Sequence, residues 1–552
     1  NPETGGGEWP GLGISSSGWD VLETFNVGDP ETNTIKGALP LPAGDTWRVQ
    51  AVLAQADGTV MNVAFRGPDE IAGAVPAISA GTAYVDADKG GYWEDRQAAA
   101  LAAGDISQFG HVVQVADMRN GVTRAAEVGP GLHERIYTSA YTVGAGEGVD
   151  MDGVPGVHGD TGLPCEQYFY FVGKYQPYAI YLPAGEGPHS LQLQLHGCGD
   201  THGSQMNEPG FQARFGDEPN RIIVSPLSRG PQGFFHNLAE RDWLDVLDDT
   251  IEHYAIDEDQ LFVSGTSMGG FGALRTAAMY PDRFAGMINW VGFTGNIGNT
   301  PLPGNPVAEL LTQLTGGPFE STGITAGTGA DINIIEFVQN LRHVPSVNLY
   351  SSADELVHVT TGIAMLTAFD AAEVEHHSYM HTPAEHLTFV ILDDWQKEAA
   401  YIAGRRLKKN PARVSYKTDS RTDAPEYGVF HDKAYWLSAI REREEGVSEV
   451  DLQSYACGKD QPLYGQGIDA GVDPAPLTWV RLYRDITGME MATAENRLEG
   501  SLHNVGSLMI DAAATCLSAG TTYAIESDGP ATLQLSDGRS LQLDAGLNEG
   551  SF

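Results

Sequence analysis

Short apolar runs alternate with longer amphipathic stretches between residue 166 and about residue 409. The apolar runs are rich in Val, Ile, Leu and Tyr, and they are YAIYLP, LQLQLHG, RIIVSPL, LFVSG, MINWVG, VNLYSS and VEHHSYM. Between several of them lie stretches such as DWLDVLDDTIEHY and TTGIAMLTAFDAA, whose apolar residues recur at helical spacing. Buried strands that alternate with helices predict a parallel sheet in an α/β layer fold.

The last stretch of this central region has the pattern of a helix. The stretch AEHLTFVILDDWQKEAAYIAGRRLKK, residues 384–409, predicts a closing helix, and its basic tail suits the negative end of a helix dipole. Pro411 then breaks the pattern. We therefore place a domain boundary near residue 410.

Both flanks show the alternation that is typical of β structure. Residues 1–165 contain strand-like runs, one short helix and a hairpin that turns at Asn120-Gly121, which predicts a mainly β accessory domain. Residues 410–552 contain further strand-like runs separated by turns, which predicts a β-sandwich-like domain with Cys457 and Cys516 as a candidate disulfide. The expected organisation is an α/β catalytic domain over residues 166–409 with a mainly β domain on either side.

The composition of the chain limits the classes of partner that the protein is expected to bind. The 552 residues carry a formal net charge of −41, from 73 acidic and 32 basic residues. Without a basic stripe the chain is not expected to bind nucleic acid or an anionic membrane surface, and no run approaches the length of a membrane span. The chain begins at Asn1 and shows no signal peptide, so we expect a processed, exported protein or a trimmed chain. A cationic substrate is a second interpretation of the charge, beside simple solubility.

One segment carries a nucleophile motif. Gly265-Thr266-Ser267-Met268-Gly269 matches G-x-S-x-G, and it lies between the strand-like LFV and a stretch with helical spacing that ends before Pro281. A serine on a strand-to-helix turn needs neighbours that are nearly free of side chains, which explains Gly265 and Gly269. Gly270 is expected to ease the contact between helix and sheet. We therefore predict that Ser267 is a catalytic nucleophile.

Two backbone N–H groups are expected to bind the oxyanion that such a nucleophile creates. Met268 follows the serine, and the loop after LQLQL, His196-Gly197-Cys198-Gly199, follows an earlier strand. We predict the N–H groups of Met268 and Cys198, with Gly199 as the alternative to Cys198. A plain tight turn with a buried His196 is the competing interpretation.

The serine also needs a base, and the base needs an acid to orient it. Asp354 follows the strand VNLYSS, and His386 lies where a loop meets a helix, in the chain order Ser, acid, His. Other candidates remain open, and they are Glu355 and Asp370 for the acid and His358, His376, His377 and His381 for the base.

The expected substrate pocket contains residues beyond strand ends, namely Trp290, Phe234, Phe235 and His196, although each could equally belong to the core. No cofactor is expected. No Cys/His cluster has zinc spacing, and the acidic loops at Asp86-Ala87-Asp88 and Asp150-Met151-Asp152 fail the full calcium-loop pattern, so no metal is expected.

The motifs LHGC at 195–198, DDTIEHYAIDEDQLFVSGTSMGG at 248–270 and PDRFAG at 281–286 resemble the α/β-hydrolase superfamily, and within it the polyhydroxybutyrate depolymerase and feruloyl esterase-like group. Prolyl-oligopeptidase-type hydrolases are similar at the same places, and ADELV and EHLTF add late matches. The resemblance implies a secreted serine esterase that acts through Ser267, Asp354 and His386, with a polymeric ester as one possible substrate. A peptidase of the prolyl-oligopeptidase type is the alternative, and a binding protein that has lost activity is a third. Acyl preference and oligomeric state do not follow from the sequence.

Overall fold

The computed structural model describes residues 129–141, 175–294 and 333–552, together with 46–47, 109 and 113–114. Within these ranges it omits 199, 231–233, 355, 358, 387, 389–391, 393 and 474–476. Most of the predicted N-terminal domain, including the hairpin at Asn120-Gly121, lies outside the described residues.

A ten-stranded sheet forms the centre of the molecule. Its spatial order is β14-β15-β10-β9-β8-β7-β5-β6-β4-β3. The strands are β3 (Gly131–Thr138), β4 (Tyr175–Leu182), β5 (His189–Leu195), β6 (Arg221–Pro226), β7 (Ile256–Thr266), β8 (Gly286–Trp290), β9 (Ser346–Ser351), β10 (His376–Thr382), β14 (Gln461–Val472) and β15 (Thr478–Glu490). The six inner strands run parallel, and the two outer strands on each side run antiparallel. The seven apolar runs of the central region all lie in this sheet, six of them in its parallel strands and YAIYLP in the antiparallel β4, so the predicted parallel α/β arrangement is confirmed at its centre.

Helices cover both faces of the sheet, and each face has its own hydrophobic core. The helices are α1 (Leu238–His253), α2 (Met268–Met279), α3 (Val359–Ala371) and α4 (Gln396–Ile402), with a 3₁₀ helix at Ile334–His343 and short helical turns at Gln205–Asn207, Pro209–Phe211 and Gln212–Asp217. Successive side chains of a strand point to opposite faces. Thus Ile222 and Val224 join the core under α1 and α2, whereas Ile223 joins the core under α4 and the turns at 205–217.

The predicted closing helix is much shorter than expected. Only α4, Gln396–Ile402, forms within residues 394–409, and the basic stretch after Gly404 has no regular secondary structure. Gly404 has a positive φ of 68°, a conformation that ends a helix readily. The basic residues therefore do not serve as a helix C-terminus, and the prediction of one helix over 384–409 is wrong.

The C-terminal part forms two further sheets that share one core. The five-stranded sheet has the order β11-β13-β16-β18-β21, and the four-stranded sheet has the order β12-β17-β19-β20. Their strands are β11 (Arg413–Thr418), β12 (Leu437–Glu442), β13 (Ser448–Ser454), β16 (Arg497–His503), β17 (Val505–Ile510), β18 (Thr522–Ser527), β19 (Ala531–Leu535), β20 (Ser540–Leu543) and β21 (Gly546–Ser551). Buried residues from both sheets pack together, such as Tyr416 and Leu452 of one with Leu508 and Leu533 of the other. Cys457 and Cys516 form a disulfide.

The central sheet extends past both expected boundaries. β3 comes from before residue 165, and β14 and β15 come from beyond residue 410. Two strands of two residues each pair with each other outside this sheet, and they are β1 (Thr46–Trp47) and β2 (Val113–Gln114). Among the described residues, no helix combines the length and the hydropathy that a membrane crossing requires.

Candidate active site

Ser267 lies at a sharp turn between β7 and α2. Its backbone has φ 57° and ψ −114°, a conformation that is strained for a residue with a side chain. A Cβ on Gly265 would lie 2.0 Å from the carbonyl oxygen of Gly269, and a Cβ on Gly269 would lie 2.0 Å from that of Leu195. The turn therefore requires glycine at both positions, as the sequence motif predicts.

Gly270 also has no room for a side chain. A Cβ there would lie 2.5 Å from Oδ1 of Asn289 and 2.6 Å from Cα of Gly292. The N–H of Ser267 donates to the carbonyl of Trp290, at 2.8 Å. These contacts fix the beginning of α2 against the end of β8 and so fix the direction of the serine.

Ser267, His386 and Asp354 form a hydrogen-bonded chain. Nε2 of His386 lies 2.9 Å from Oγ of Ser267, and Nδ1 of His386 lies 2.9 Å and 2.8 Å from the two carboxylate oxygens of Asp354. Because a carboxylate only accepts, Nδ1–H donates to Asp354, and Nε2 is left to accept the serine hydroxyl proton. This is the arrangement of a nucleophile, a general base and an orienting acid.

The sheet brings these three residues to one edge. Ser267 directly follows β7, Asp354 follows β9 and His386 follows β10, so all three lie at carboxyl ends of parallel strands. The N–H of Ser352 donates to His381 at 2.9 Å, and the N–H of Ala353 donates to Ala384 at 2.9 Å. These two bonds join the loop of the acid to the loop of the base.

Asp354 is held by its own loop. Its Oδ1 accepts the N–H groups of Leu356, at 2.9 Å, and Val357, at 2.7 Å. The side chain is 1% exposed. Two backbone donors and a histidine fix the carboxylate in one orientation, which a residue that orients a base requires.

The other candidates for base and acid have different partners. His377 contacts Asp485 at 2.9 Å, and His381 contacts Asp473 at 3.2 Å. His376 lies 2.9 Å from Oγ of Ser378 and 3.4 Å from Asp370, the rival acid. Glu355 and His358 lie outside the described residues.

The predicted oxyanion loop lies against the turn of the nucleophile. A Cβ on Gly197 would lie 3.5 Å from the carbonyl oxygen of Thr266 and 3.8 Å from Cβ of Ser267. Met268 is the first residue of α2, where backbone N–H groups have no partner within the helix. Cys198 is disulfide-bonded, its partner lies outside the described residues, and so does Gly199. The N–H groups of Met268 and Cys198 are thus placed on two segments that meet beside Ser267.

His196 fixes this loop from inside the core. It is fully buried, its Nδ1 lies 2.9 Å from the carbonyl of Gly197, and its Nε2 lies 3.1 Å from the carbonyl of Leu227. Burial lowers the pKa of His196 to about 4, which keeps the ring neutral at pH 7. The structure therefore gives His196 the buried role that was the competing interpretation, while its loop still reaches the serine.

Asp200 is a residue near the site that the sequence reasoning missed. Its N–H donates to the carbonyl of Gly197 at 3.2 Å, and its carboxylate accepts the hydroxyl of Ser204. Burial raises the pKa of Asp200 to about 6, although hydrogen bonds from Ser204 and Thr201 oppose the rise. The acid follows Gly199 directly in the sequence, but only its burial distinguishes it from the many other acidic residues.

The predicted pocket aromatics pack in the core. Trp290 is 2% exposed, its ring lies 5.9 Å from that of Phe215, and its Nε1 donates to Glu398 at 2.9 Å. Phe234 is 2% exposed and lies 6.0 Å from Phe293. Phe235 is fully buried and lies 5.2 Å from the ring of His196. Of the three, Phe235 packs against the histidine that fixes the predicted oxyanion loop.

Among the described residues, no group of three or more His, Cys, Asp or Glu side chains has the arrangement of a metal site. The acidic loops at Asp86-Ala87-Asp88 and Asp150-Met151-Asp152 lie outside the described residues.

Comparisons with known proteins agree with this chemistry. The sequence model of the prolyl oligopeptidase family matches residues 239–401, a segment that contains Ser267, Asp354 and His386. No curated protein sequence matches the chain significantly.

Solved structures resemble the chain at low identity. A ferulic acid esterase is 17% identical and covers 42% of this chain and 91% of its own, with a TM-score of 0.33. The S-formylglutathione hydrolase from Agrobacterium tumefaciens is 15% identical and covers 51% and 98%, with a TM-score of 0.34. The acylaminoacyl peptidase of Pyrococcus horikoshii is 10% identical and covers 42% and 40%, with a TM-score of 0.32. These scores are too low to assign an activity.

The family match covers the strand, turn and helix around the serine, and it extends through the segments that carry the acid and the histidine. The sheet that presents them is parallel at its centre and is covered by helices on both faces. The protein is therefore a serine hydrolase whose central part has an α/β-hydrolase fold, and residues 239–401 resemble the prolyl oligopeptidase family.

Proposed function

We propose that the protein hydrolyses carboxylic esters through an acyl-enzyme on Ser267. His386 takes the hydroxyl proton as Oγ forms a bond to the ester carbonyl carbon, and Asp354 stabilises the imidazolium that results. His386 then returns the proton to the leaving alcohol as the ester C–O bond breaks. Water attacks the acyl-enzyme with His386 again as the base, which releases the acid and restores Ser267.

The N–H groups of Met268 and Cys198 are proposed to bind the oxyanion of each tetrahedral intermediate. Both are backbone donors, so they need no rearrangement when charge develops on the substrate oxygen. The disulfide at Cys198 restrains the second donor. The proposed mechanism needs no metal or cofactor.

One observation carries the proposal. His386 bridges Ser267 Oγ at 2.9 Å and Asp354 at 2.8 Å, with each partner delivered by a different strand end. Residues 119 positions apart along the chain meet within hydrogen-bonding distance, and their side chains are nearly excluded from water. A purely structural network would not need the strained backbone at Ser267.

A peptidase is the second candidate, because the family model that matches residues 239–401 is that of the prolyl oligopeptidases. The same triad would then attack a peptide carbonyl and protonate a leaving amine. The two candidates differ in the leaving group, so relative turnover of p-nitrophenyl esters and peptide p-nitroanilides separates them.

The test uses p-nitrophenyl esters from acetate to octanoate with the wild-type protein, Ser267→Ala and the control Ser540→Ala. Ser540 is an exposed serine at the start of β20. Removal of a triad nucleophile is expected to lower kcat by roughly 10⁶-fold, while the control keeps wild-type turnover. Equal activity in Ser267→Ala would overturn the mechanism, and faster turnover of anilides than of esters would favour the peptidase.

We also propose that the protein is exported and that its β-rich parts bind a polymeric ester. The disulfide between Cys457 and Cys516 supports an oxidising compartment, where such bonds persist. The two C-terminal sheets lie beside the hydrolase core, where Tyr416 of β11 donates to the carbonyl of Met279 at 3.0 Å, so a polymer bound to them would be held near the core. Comparing hydrolysis of a short soluble ester with that of polyester particles, in the full chain, tests the second part.

A further inference from the structure

A cavity of about 270 Å³ lies at the edge of the central sheet opposite the triad. His343 and Pro345 line it just before β9, and Glu375 lines it just before β10. Asp354 and His386 follow the other ends of these strands. Since six residues of β9 span about 20 Å, the cavity is separate from the site around Ser267.

The cavity lining is basic in a strongly acidic protein. The chain has 73 acidic and 32 basic residues, yet the described lining holds six arginines and lysines and only two carboxylates, Glu375 and Asp460. The basic residues are Arg342, Arg405, Arg406, Lys408, Arg413 and Lys459. An excess of positive charge here is the reverse of the charge balance of the whole chain.

The arginines of the lining are already neutralised by carboxylates. Arg405 pairs with Glu375 at 2.9 Å, Arg406 pairs with Asp257 at 2.9 Å, and Arg413 pairs with Asp451 at 2.6 Å. Arg342 contacts Glu373. These guanidinium groups shape the wall, but their charge is largely compensated.

The two lysines differ from the arginines. Neither Lys408 nor Lys459 has a carboxylate within 4.0 Å among the described residues, whereas the adjacent Lys409 contacts Asp259 at 2.5 Å. Lys459 donates to the carbonyl of Asn410, which is a neutral partner. Burial lowers the pKa of Lys459, and the positive charge of Lys408 lowers it further. Two ammonium groups thus repel each other at the cavity, and an anion would relieve that repulsion.

His343 also lines the cavity, but its side chain adds no charge to it. Its Nε2 lies 2.7 Å from the carbonyl of Arg413. Burial lowers the pKa of His343 to about 4, and nearby Arg342 and Lys408 contribute to the shift. The ring is therefore neutral near pH 7, so the positive charge that the arginine partners leave uncompensated comes from the two lysines, and Asp460 offsets only part of it.

The remaining wall is apolar. It comes from the prolines at the sheet edge and from β14 and β15, and its residues are Pro345, Pro411, Pro462, Tyr464, Ile486 and Met489. Ile486 is 46% exposed and Met489 is 47% exposed, so both have apolar surface left to cover. A volume of about 270 Å³ corresponds to roughly nine water molecules, which suits a small ligand.

We propose that this cavity binds a small organic carboxylate, whose charged group pairs with Lys408 and Lys459 and whose apolar body contacts Tyr464, Ile486 and Met489. Inorganic phosphate would satisfy the charge but leave the apolar wall uncovered. A neutral compound would leave the two ammonium groups unpaired. The site is independent of the proposed ester hydrolysis, because it lies at the other edge of the sheet and contains none of the triad residues.

The test measures binding of benzoate, benzamide and inorganic phosphate by isothermal titration calorimetry at low ionic strength, using the full chain. We expect benzoate to bind more tightly than both other probes, and its affinity to fall as NaCl is raised from 0.05 to 0.5 M because salt screens the lysines. In Lys408→Gln/Lys459→Gln the affinity for benzoate should fall at least about tenfold.

Two further variants make the test specific. Lys409→Gln removes an adjacent lysine that does not line the cavity, and it should bind benzoate like the wild type. Ile486→Asn should weaken benzoate while leaving phosphate unchanged. Equal binding of benzamide, an equal loss in Lys409→Gln, or benzoate binding that survives the double variant would each overturn the proposal.

Turnover of p-nitrophenyl acetate in the presence of benzoate locates the site. A carboxylate in the cavity should not compete with the ester, whereas one bound beside Ser267 would inhibit competitively. Competitive inhibition that persists in the double variant would place the binding at the triad and contradict the proposal, without affecting the assignment of Ser267.

Discussion

Two of the buried histidine–carboxylate sites among the described residues use the same chemistry differently. In one, His386 contacts Asp354 through Nδ1 and the hydroxyl of Ser267 through Nε2. In the other, Nε2 of His431 lies 2.6 Å from Glu240, and its Nδ1 lies 3.1 Å from Asp423. A general base needs one nitrogen that can accept a proton. His386 has one, whereas both nitrogens of His431 lie beside carboxylates, with the hydroxyl of Thr422 also 2.9 Å from Nδ1.

The surroundings of Glu240 explain why the second site is structural. Its carboxylate accepts the hydroxyl of Tyr280 at 2.6 Å and pairs with the guanidinium of Arg275 on α2. Burial alone would raise the pKa of Glu240, but Arg275 and His431 outweigh it and lower the pKa to about 2. Burial alone would likewise lower the pKa of His431, but Glu240 and Asp423 raise it. The contacts between the two residues therefore favour the charged form of each.

The second site joins the hydrolase core to the C-terminal part. Glu240 lies on α1 and Arg275 lies on α2, the helix that begins after Ser267, whereas His431 lies between β11 and β12. The comparison teaches that the second partner of the histidine matters: the second nitrogen of His386 meets only the hydroxyl of Ser267 on a strained turn, whereas His431 has a carboxylate at each nitrogen and links α1 to the C-terminal part.

The largest expected effect is on turnover. His386→Ala should lower kcat for p-nitrophenyl acetate by roughly 10⁶-fold, because the serine loses its base. His503→Ala, which changes an exposed histidine beside Asp528, should leave kcat unchanged. Retained activity in His386→Ala would move the base to another histidine.

The orienting acid is expected to contribute less. Asp354→Asn should lower kcat by roughly 10⁴-fold, because an amide can hold the ring in the wrong tautomer. Steady-state kinetics should show the loss in kcat with a smaller change in KM. A loss below about tenfold would mean that Asp354 only supports its loop.

A substitution in the structural site around Glu240 is expected to change the stability of the protein. Glu240→Gln is expected to lower the free energy of unfolding by about 3–5 kcal/mol, because Arg275 would keep a buried charge without its counter-charge and His431 would lose one of its two carboxylate partners. Urea unfolding measures this change, and kcat of the folded protein should stay near the wild-type value. A large fall in kcat at unchanged stability would contradict the structural role.

The smallest expected effect is a dependence of the free energy of unfolding on pH. A carboxylate whose folded pKa is depressed stabilises the protein above its unfolded pKa and loses this contribution as pH falls through the folded value. For Glu240 the window runs from about 4.5 down to about 2, so stability should fall by about 2 kcal/mol between pH 5 and pH 3.

His431 has the opposite sign. Its raised folded pKa stabilises the protein fully below about 6.5, and this contribution is lost as pH rises through the folded value. Urea unfolding of wild type and Glu240→Gln from pH 3 to pH 9 should give a stability difference that is largest near pH 5 to 6. A difference that is constant with pH would show that the site does not titrate.

Local patterns predicted much of the fold and the site. The strands and helices of the central region follow from apolar runs and helical spacing, and the glycines around Ser267 follow from the space that the turn leaves. The order of Ser267, Asp354 and His386 placed each residue beyond a strand end. The catalytic role of these residues and the oxyanion donors remains a prediction that the variants above test.

Other features depend on contacts between distant segments. The long helix expected over 384–409 does not form, since the tail after Gly404 instead extends beside Asp257 and Asp259, where Arg406 and Lys409 find their partners. Helical spacing in the sequence carries no information about such partners. Trp290 likewise follows a strand, as a pocket residue would, but its ring fills the core under α4.

The sequence by itself determined the parallel α/β pattern, the turn at Ser267 and the candidates for its base and acid, because these depend on periodicity and on local steric limits. Only the tertiary structure decided that His386 contacts Ser267, that β14 and β15 extend the central sheet, and that Glu240 meets His431 across 191 positions. It also placed Lys408 and Lys459, which have no carboxylate partner among the described residues, at a basic cavity with an apolar wall. Burial and charge pairing arise when distant segments pack together, so their consequences for pKa values and binding cannot be read from neighbours along the chain.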